Sequence, residues 1–322
     1  MKMRLMALLC CTAGFVAPAA HADTGYPARA VTFVVPYPPG GPADLLARSV
    51  AQKMGELAGQ AVIVENRAGA SGNIAGDYVA RAPKDGYTLM FGSSPVLVIN
   101  PGLYRNLKFD PLKDFEPIAD FGSLPNAVLV NQSLPVSSVQ ELTSYSREHN
   151  ATYASAGSGG TTHLAGLLFA KSSGVSLTHI PYKGSAPALQ ALLGNQVTMT
   201  FTDVYTAFPY IQAHKLKVLG VTSAARSDLL PDVKTLREQG MPDMDVNVFF
   251  ALVAPKGIPE AARARLEALS REVLADKAIR SQFEARGLLL PEDPSGAALG
   301  RKMAAETMSW KKLIQETGAA ID

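Results

Sequence analysis

The sequence predicts an α/β protein in two lobes, each a β-sheet flanked by helices, and three stretches carry that prediction. Residues 31–35 (VTFVV) form a β-branched run that reads as a buried strand, residues 36–41 break it, and Pro42-Ala43-Asp44 opens an apolar-periodic helix. Residues 151–155, 156–160 and 161–171 repeat the order of strand, small-residue loop and helix, with Thr161 or Thr162 as the expected cap. Between them, residues 126–130 read as a strand that no glycine loop follows, which marks a change of lobe near Leu124-Pro125.

Taken from the N-terminus, residues 1–22 read as a cleavable secretory signal. Lys2 and Arg4 precede a mostly apolar run, and Ala20-His21-Ala22 fits the small-x-small pattern before Asp23. A lipoprotein signal would use Cys10 or Cys11, but the apolar run ahead of either is short. Both cysteines fall in this segment, so the mature chain is expected to hold its fold by burying a core instead of by disulfides. Loss of the segment removes two of the 30 basic residues and none of the 28 acidic ones, leaving 28 against 28. A charge balance near zero argues against nucleic acid and against an anionic membrane surface as partners. No other apolar run is long enough to span a bilayer, and roughly 300 residues suit two domains.

The first strand-loop-helix unit has the makings of an anion site. Pro42 suits the first helical position, Asp44 sits in the first turn, and Gly40 and Gly41 leave room for a small ligand to reach free N–H groups at the helix start. The loop at residues 156–160 is equally poor in charge, so two such loops could face each other across a cleft; each alone is also what any βα connection requires. Residues 62–64 then read as a strand, 65–72 as a polar glycine-rich loop braced by Arg67 through carbonyls or Glu65, and 73–81 as a helix. A strand at 87–91 ends beside Ser93 and Ser94, hydroxyls at a carboxyl end where open α/β sheets bind ligands.

Strands at 126–130, 177–182, 199–203 and 217–222 and helices at 136–148 and 185–193 assign residues 125–224 to the second domain. Residues 23–124 and 225–322 form a discontinuous first one. Two crossings between lobes make a hinge. A strand at 246–253 and helices at 259–274 and 295–317 complete the first lobe, with Trp310 read as packing.

Enzyme readings are weaker. Ala156-Gly157-Ser158-Gly159-Gly160 with Asp203 and His214 suits a secreted serine esterase using Ser158, yet the preceding strand is small and polar and His214 falls on a solvated helix end. No loop carries a complete dinucleotide or P-loop pattern. His149, His163, His179 and His214 lack paired metal spacing, so no metal or cofactor is expected.

Several motifs, in order, resemble one family. Pro36-Tyr37-Pro38-Pro39-Gly40-Gly41 with Asp44, Val64-Glu65-Asn66-Arg67-Ala68-Gly69-Ala70-Ser71-Gly72 and Asp85-Gly86-Tyr87-Thr88-Leu89 are similar to the opening of the Bug extracytoplasmic solute receptors. These are the substrate-binding components of tripartite tricarboxylate transporters. Residues 155–164, Pro181-Tyr182-Lys183-Gly184, Pro187-Ala188-Leu189 and Leu230-Pro231-Asp232-Val233 follow the same family's order across nearly the whole mature chain. The resemblance implies a two-lobed, type II-like periplasmic binding protein with a two-strand hinge, monomeric and without catalysis. It would close on a small carboxylate (a di- or tricarboxylate, an amino acid or an aromatic acid) and present it to membrane transporter subunits.

By the same resemblance, Tyr37, Pro39, Gly40, Gly41, Ser93 and Ser94 are the binding candidates of the first lobe, and Ser155, Gly159, Thr161 and Asp203 those of the second. Leu167 and Leu168 stand where the family often has an acidic residue, and Phe249 and Phe250 near its usual tryptophan, so ligand identity stays open. Asp203 would pair with a ligand amine or hydroxyl, or else cap the following helix through Phe208. Tyr37 and Tyr205 would admit an aromatic acid by lining the cleft. A receptor that signals to a membrane sensor needs the same cleft and remains an alternative.

Overall fold

The computed structural model describes residues 25–319; the expected signal at residues 1–22 lies outside them. The strands are β1 (Val31–Val35), β2 (Val62–Asn66), β3 (Thr88–Ser93), β4 (Phe115–Asn131), β5 (Thr152–Ser155), β6 (Thr178–Pro181), β7 (Met199–Asp203), β8 (Leu216–Val221) and β9 (Asn247–Pro255). The helices are α1 (Pro42–Ala58), α2 (Asn73–Ala80), α3 (Asn100–Leu103), α4 (Pro111–Asp114), α5 (Val139–Glu148), α6 (Thr161–Ser173), α7 (Ser185–Leu193), α8 (Val204–Gln212), α9 (Glu260–Ala275), α10 (Lys277–Glu284) and α11 (Gly296–Thr317). Among the described residues no helix is long and apolar enough to cross a membrane.

The nine strands follow the order β2-β1-β3-β9-β4-β7-β5-β6, with β8 also on β4. Parallel pairs lie at both ends: β1 with β2 and β3, β5 with β6 and β7. Antiparallel β4 and β9 join the halves. Strand β4 belongs to both half-sheets, pairing with β9 up to Pro125 and with β7 and β8 from Asn126 onward. The sequence pattern revealed only its second half, because Pro117, Gly122 and Pro125 interrupt the first. The strand absorbs them with register shifts between Pro117 and Ala119 and between Asp120 and Ser123, and with Gly122 at φ +105°.

The return crossing lies further along the chain than the expected 224/225. Val221 N–H donates to Lys234 O (3.2 Å) and Leu236 N–H to Val221 O (2.8 Å). Leu230 is buried with Ala127, Leu129 and Leu192 of the second half. Residues 229–236, assigned from sequence to the first lobe, thus pack on the second half-sheet, while Met241, Met244 and Val246 enter a cluster that both halves share. The chain leaves through Val246, whose N–H donates to Thr222 O (3.0 Å), and enters β9 at Asn247.

Three apolar clusters hold these layers. One, under α1, α9 and α10, is built from buried residues of the first half-sheet with Tyr205 of α8 packed against it, and another, under α7 and α8, lies on the second. The third runs beneath both, joining Val34, Met90 and Val253 to Val128, Tyr153 and Phe201, with Trp310 and Leu313 of α11 packed into it. Trp310 is therefore a packing residue, 7% exposed. A fully buried π-helical turn, Pro95–Ile99, follows β3 and leads into α3; its period is not the 3.6 residues by which helices are read from sequence.

Candidate functional site

The loop between β1 and α1 is set by one buried carboxylate. Gly40 has φ +87°, a left-handed conformation that glycine adopts without strain. Asp44, 2% exposed, accepts hydrogen bonds from Gly40 N–H (2.9 Å), Asn66 Nδ2 (2.9 Å) and Arg48 Nε (3.0 Å). Burial pushes its carboxyl up, but Arg48, Gly40 and Asn66 together outweigh that and hold it below the usual carboxylate range. The Gly40 N–H, expected to be free for a ligand, is thus donated to Asp44. Gly41 caps α1 in extended conformation with no side-chain hydrogen bond, so the next N–H groups at the helix start lack intrahelical partners. Arg67 pairs with Glu65 (2.7 Å) and lies over the Tyr78 ring (3.6 Å to the centroid), the bracing role read from sequence.

The second loop rests on a pair of histidines. Gly160, not a threonine, caps α6; Thr162 Oγ1 instead accepts the Ala156 N–H (2.9 Å) and closes the loop from within. Beneath it the rings of His163 and His179 stack at 4.0 Å, with Tyr153 against His179 at 4.9 Å. Burial pushes His163 down to about 4, and burial together with the neighbouring His163 does the same to His179. Unprotonated, His163 Nδ1 accepts the Gly159 N–H (3.2 Å), while His179 Nε2 lies 2.6 Å from Ser155 Oγ. Ser155 Oγ also accepts the Gly157 N–H (3.2 Å). The two imidazoles pin both limbs of the loop.

Both loops line one cavity of about 530 Å³. Of the candidates, Tyr37, Pro39, Gly40, Gly41, Ser93, Thr161 and Asp203 line it, and Ser94, Ser155 and Gly159 do not. Ser94 is fully buried and its Oγ accepts the Phe249 N–H (2.9 Å), which fastens β3 to β9. Ser155 and Gly159 face the histidine pair instead. Tyr37 OH and Ser93 Oγ are 2.8 Å apart, and burial pushes the phenol up to about 12, so it stays a neutral hydrogen-bonding group. Asp203 caps α8 through the Thr206 N–H (2.8 Å), not through Phe208, and its other oxygen accepts from Ser185 Oγ (2.7 Å).

Sequence reasoning gave no role to Lys183, Asn126, Ser71, Ser185 or Thr206, all of which line the cavity. Lys183 stands in the quoted Pro-Tyr-Lys-Gly motif and Ser71 in the quoted glycine-rich loop, so both lay in stretches already singled out. Lys183 and Asp203 are the charged residues among those lining the cavity, so a cation stands beside the two charge-poor loops. Ser71, at φ +53°, is held by Tyr104 OH (3.0 Å), and its Oγ donates to Ser158 O (3.5 Å) of the opposite loop. The esterase constellation is not assembled. Ser158 is exposed on the cavity rim, His214 lies beyond the end of α8 away from the cavity, and Asp203 bonds hydroxyl and amide donors instead of an imidazole. Among the described residues, no group of three or more acidic or histidine side chains could hold a metal ion.

A family model described as the tripartite tricarboxylate transporter family receptor matches residues 46–319. The chain belongs to this family. Its solved relatives share the architecture across their whole length. R. palustris Rpa4515 with adipate is 35% identical with a TM-score of 0.84, covering 91% of this chain and 98% of that one. The periplasmic binding protein BugD is 33% identical with a TM-score of 0.83, covering 92% and 99%. MatC from Rhodopseudomonas palustris with bound malate is 32% identical with a TM-score of 0.81, covering 90% and 100%. As a tripartite tricarboxylate transporter receptor, the chain is a solute-binding protein of α/β fold, and its family is one of receptors, not of enzymes.

Proposed function

We propose that this receptor works in the periplasm as a monomer, exported by the signal at residues 1–22, and closes its lobes on a small carboxylate that it delivers to membrane transporter subunits. One observation carries the reading: two glycine loops, each feeding the start of a helix, open onto the same cavity. N–H groups and the positive end of the macrodipole at each start favour an anionic group there. The adipate and malate held by two relatives belong to the same chemical class. On this reading Tyr37, Pro39, Gly41, Ser93, Thr161 and Asp203 contact the ligand, and Lys183 attracts its second acidic group. Closure bends the chain at Pro125–Asn126 and Val246–Asn247, where it passes between the half-sheets.

Thermal unfolding of the purified protein with mono-, di- and tricarboxylates, amines and sugars tests this. A ligand that binds only the native state raises Tm by mass action, by about 2.7 kcal/mol of apparent stability at a hundredfold excess over Kd. Carboxylates are expected to raise Tm, and amines and sugars to leave it unchanged. A shift with sugars alone would overturn the proposal.

A further inference from the structure

We infer that Asn126 is a specificity-determining residue of the cleft, and that its side-chain carbonyl accepts a hydrogen bond from a hydroxyl or ammonium group on the ligand. The chain would then select hydroxy- or amino-substituted carboxylates over unsubstituted ones of equal length. The inference rests on the carboxylate reading above and adds to it what the carboxylate must carry.

Asn126 sits where β4 passes from one half-sheet to the other, is 0% exposed, and lines the cavity. Every other polar atom of the residue is committed. Its N–H donates to Thr222 Oγ1 (3.2 Å), its main-chain oxygen accepts the Thr222 N–H (2.8 Å), and its Nδ2 donates to Val246 O (3.2 Å). The last bond fixes the orientation of the amide, since turning it over would set one carbonyl oxygen against another. Oδ1 is left buried with no partner. A buried acceptor without a donor is costly, and such groups in folded proteins call for a partner.

The surroundings say what kind of partner fits. Asn126 is the cross-strand neighbour of Asp203, whose carboxylate lines the same cavity. Asp203 already accepts from Ser185 and Thr206, and an ionised carboxylate offers further acceptor sites and no donor. Two acceptors on one cross-strand pair repel a ligand carboxylate and attract a donor. The acidic end of the ligand therefore lies toward the helix starts, and its hydroxyl or ammonium toward Asn126 and Asp203.

Calorimetric titration with two matched series tests this: succinate, malate and aspartate, and adipate, 2-hydroxyadipate and 2-aminoadipate. The wild type is expected to bind a substituted member of at least one series about tenfold or more tightly than its unsubstituted parent, because a site built for a donor rejects the analogue that lacks it. In Asn126→Ala that ratio is expected to collapse toward one while the unsubstituted acid still binds. Asn126→Ser, which keeps a donor for Val246 O, serves as the second variant if the alanine form does not fold, with the same expectation. Equal wild-type affinity within each series, or a ratio preserved in the variant, overturns the inference and leaves the carboxylate reading standing. If no carboxylate binds at all, the proposed function itself has failed and this inference with it.

Discussion

Mild acid is expected to weaken this protein through His163. In the fold its imidazole is buried against His179 and Tyr153, its Nδ1 accepts the Gly159 N–H, and burial pushes its pKa from 6.5 to about 4. In the unfolded chain the same ring takes up a proton below about 6.5. Between these two values the unfolded state binds more protons than the native one. Stability is therefore complete above the unfolded value and falls as pH drops toward the folded value. At about 1.4 kcal/mol per pH unit for one proton, His163 alone removes on the order of 2 kcal/mol between about pH 6.5 and about pH 5. His163→Gln abolishes the titration and leaves a carbonyl acceptor near Gly159. Urea unfolding of both proteins at about pH 7 and about pH 5 separates this ring from the carboxylates, which titrate in each. The wild type should lose about 2 kcal/mol more than the variant. Parallel losses, or an NMR titration of the His163 ring centred near 6.5, would refute the reasoning.

Three further outcomes follow from the same geometry. Asp44→Ala leaves Gly40 N–H and Asn66 without their acceptor and should lower stability by about 3 kcal/mol by urea unfolding, with weaker carboxylate binding by calorimetry, since a broken buried network strands its partners. Gly166→Ala should cost about 1–3 kcal/mol, because the new Cβ would lie 2.1 Å from the Tyr153 ring that packs on His179; an unchanged denaturation midpoint would contradict that packing. Lys171→Ala, which removes a 2.7 Å ion pair between α6 and Glu316 of α11, should change stability by less than about 0.5 kcal/mol, both partners being exposed.

Much of the fold was legible because the chain states its βα units plainly. α7 and β7 fall on the expected residues, and β1, α1, β5 and α6 follow the β-branched, small-residue and apolar-periodic runs that announced them. Strand β4 was half hidden, since prolines and a glycine that ordinarily end a strand are here taken up by bulges. Placement of residues 229–236 depends on Leu230 in the second half's cluster and on Leu236 against Gly220 of β8, contacts that no local pattern encodes. At the site, loop composition located the cavity and could not tell which way each polar group turns. Gly40 N–H and Ser94 Oγ serve the protein's own interior: the first turns back to Asp44, four residues on, a fold of the loop that composition does not show, and the second is taken by β9 from far along the chain. Asn126 was read only as part of a strand, and its standing as a cavity residue comes from the pairing of β4 with β7.

The apolar layer that joins Val34 and Met90 to Val128 and Phe201 bears on how the molecule comes apart. Neither half can be stripped of structure without exposing side chains that the other half needs covered, so heating should give one calorimetric peak whose van't Hoff and measured enthalpies agree. On the proposed closure, bending at the crossings and melting of the body are separate events: the first would move the half-sheets relative to each other, and the second takes both together.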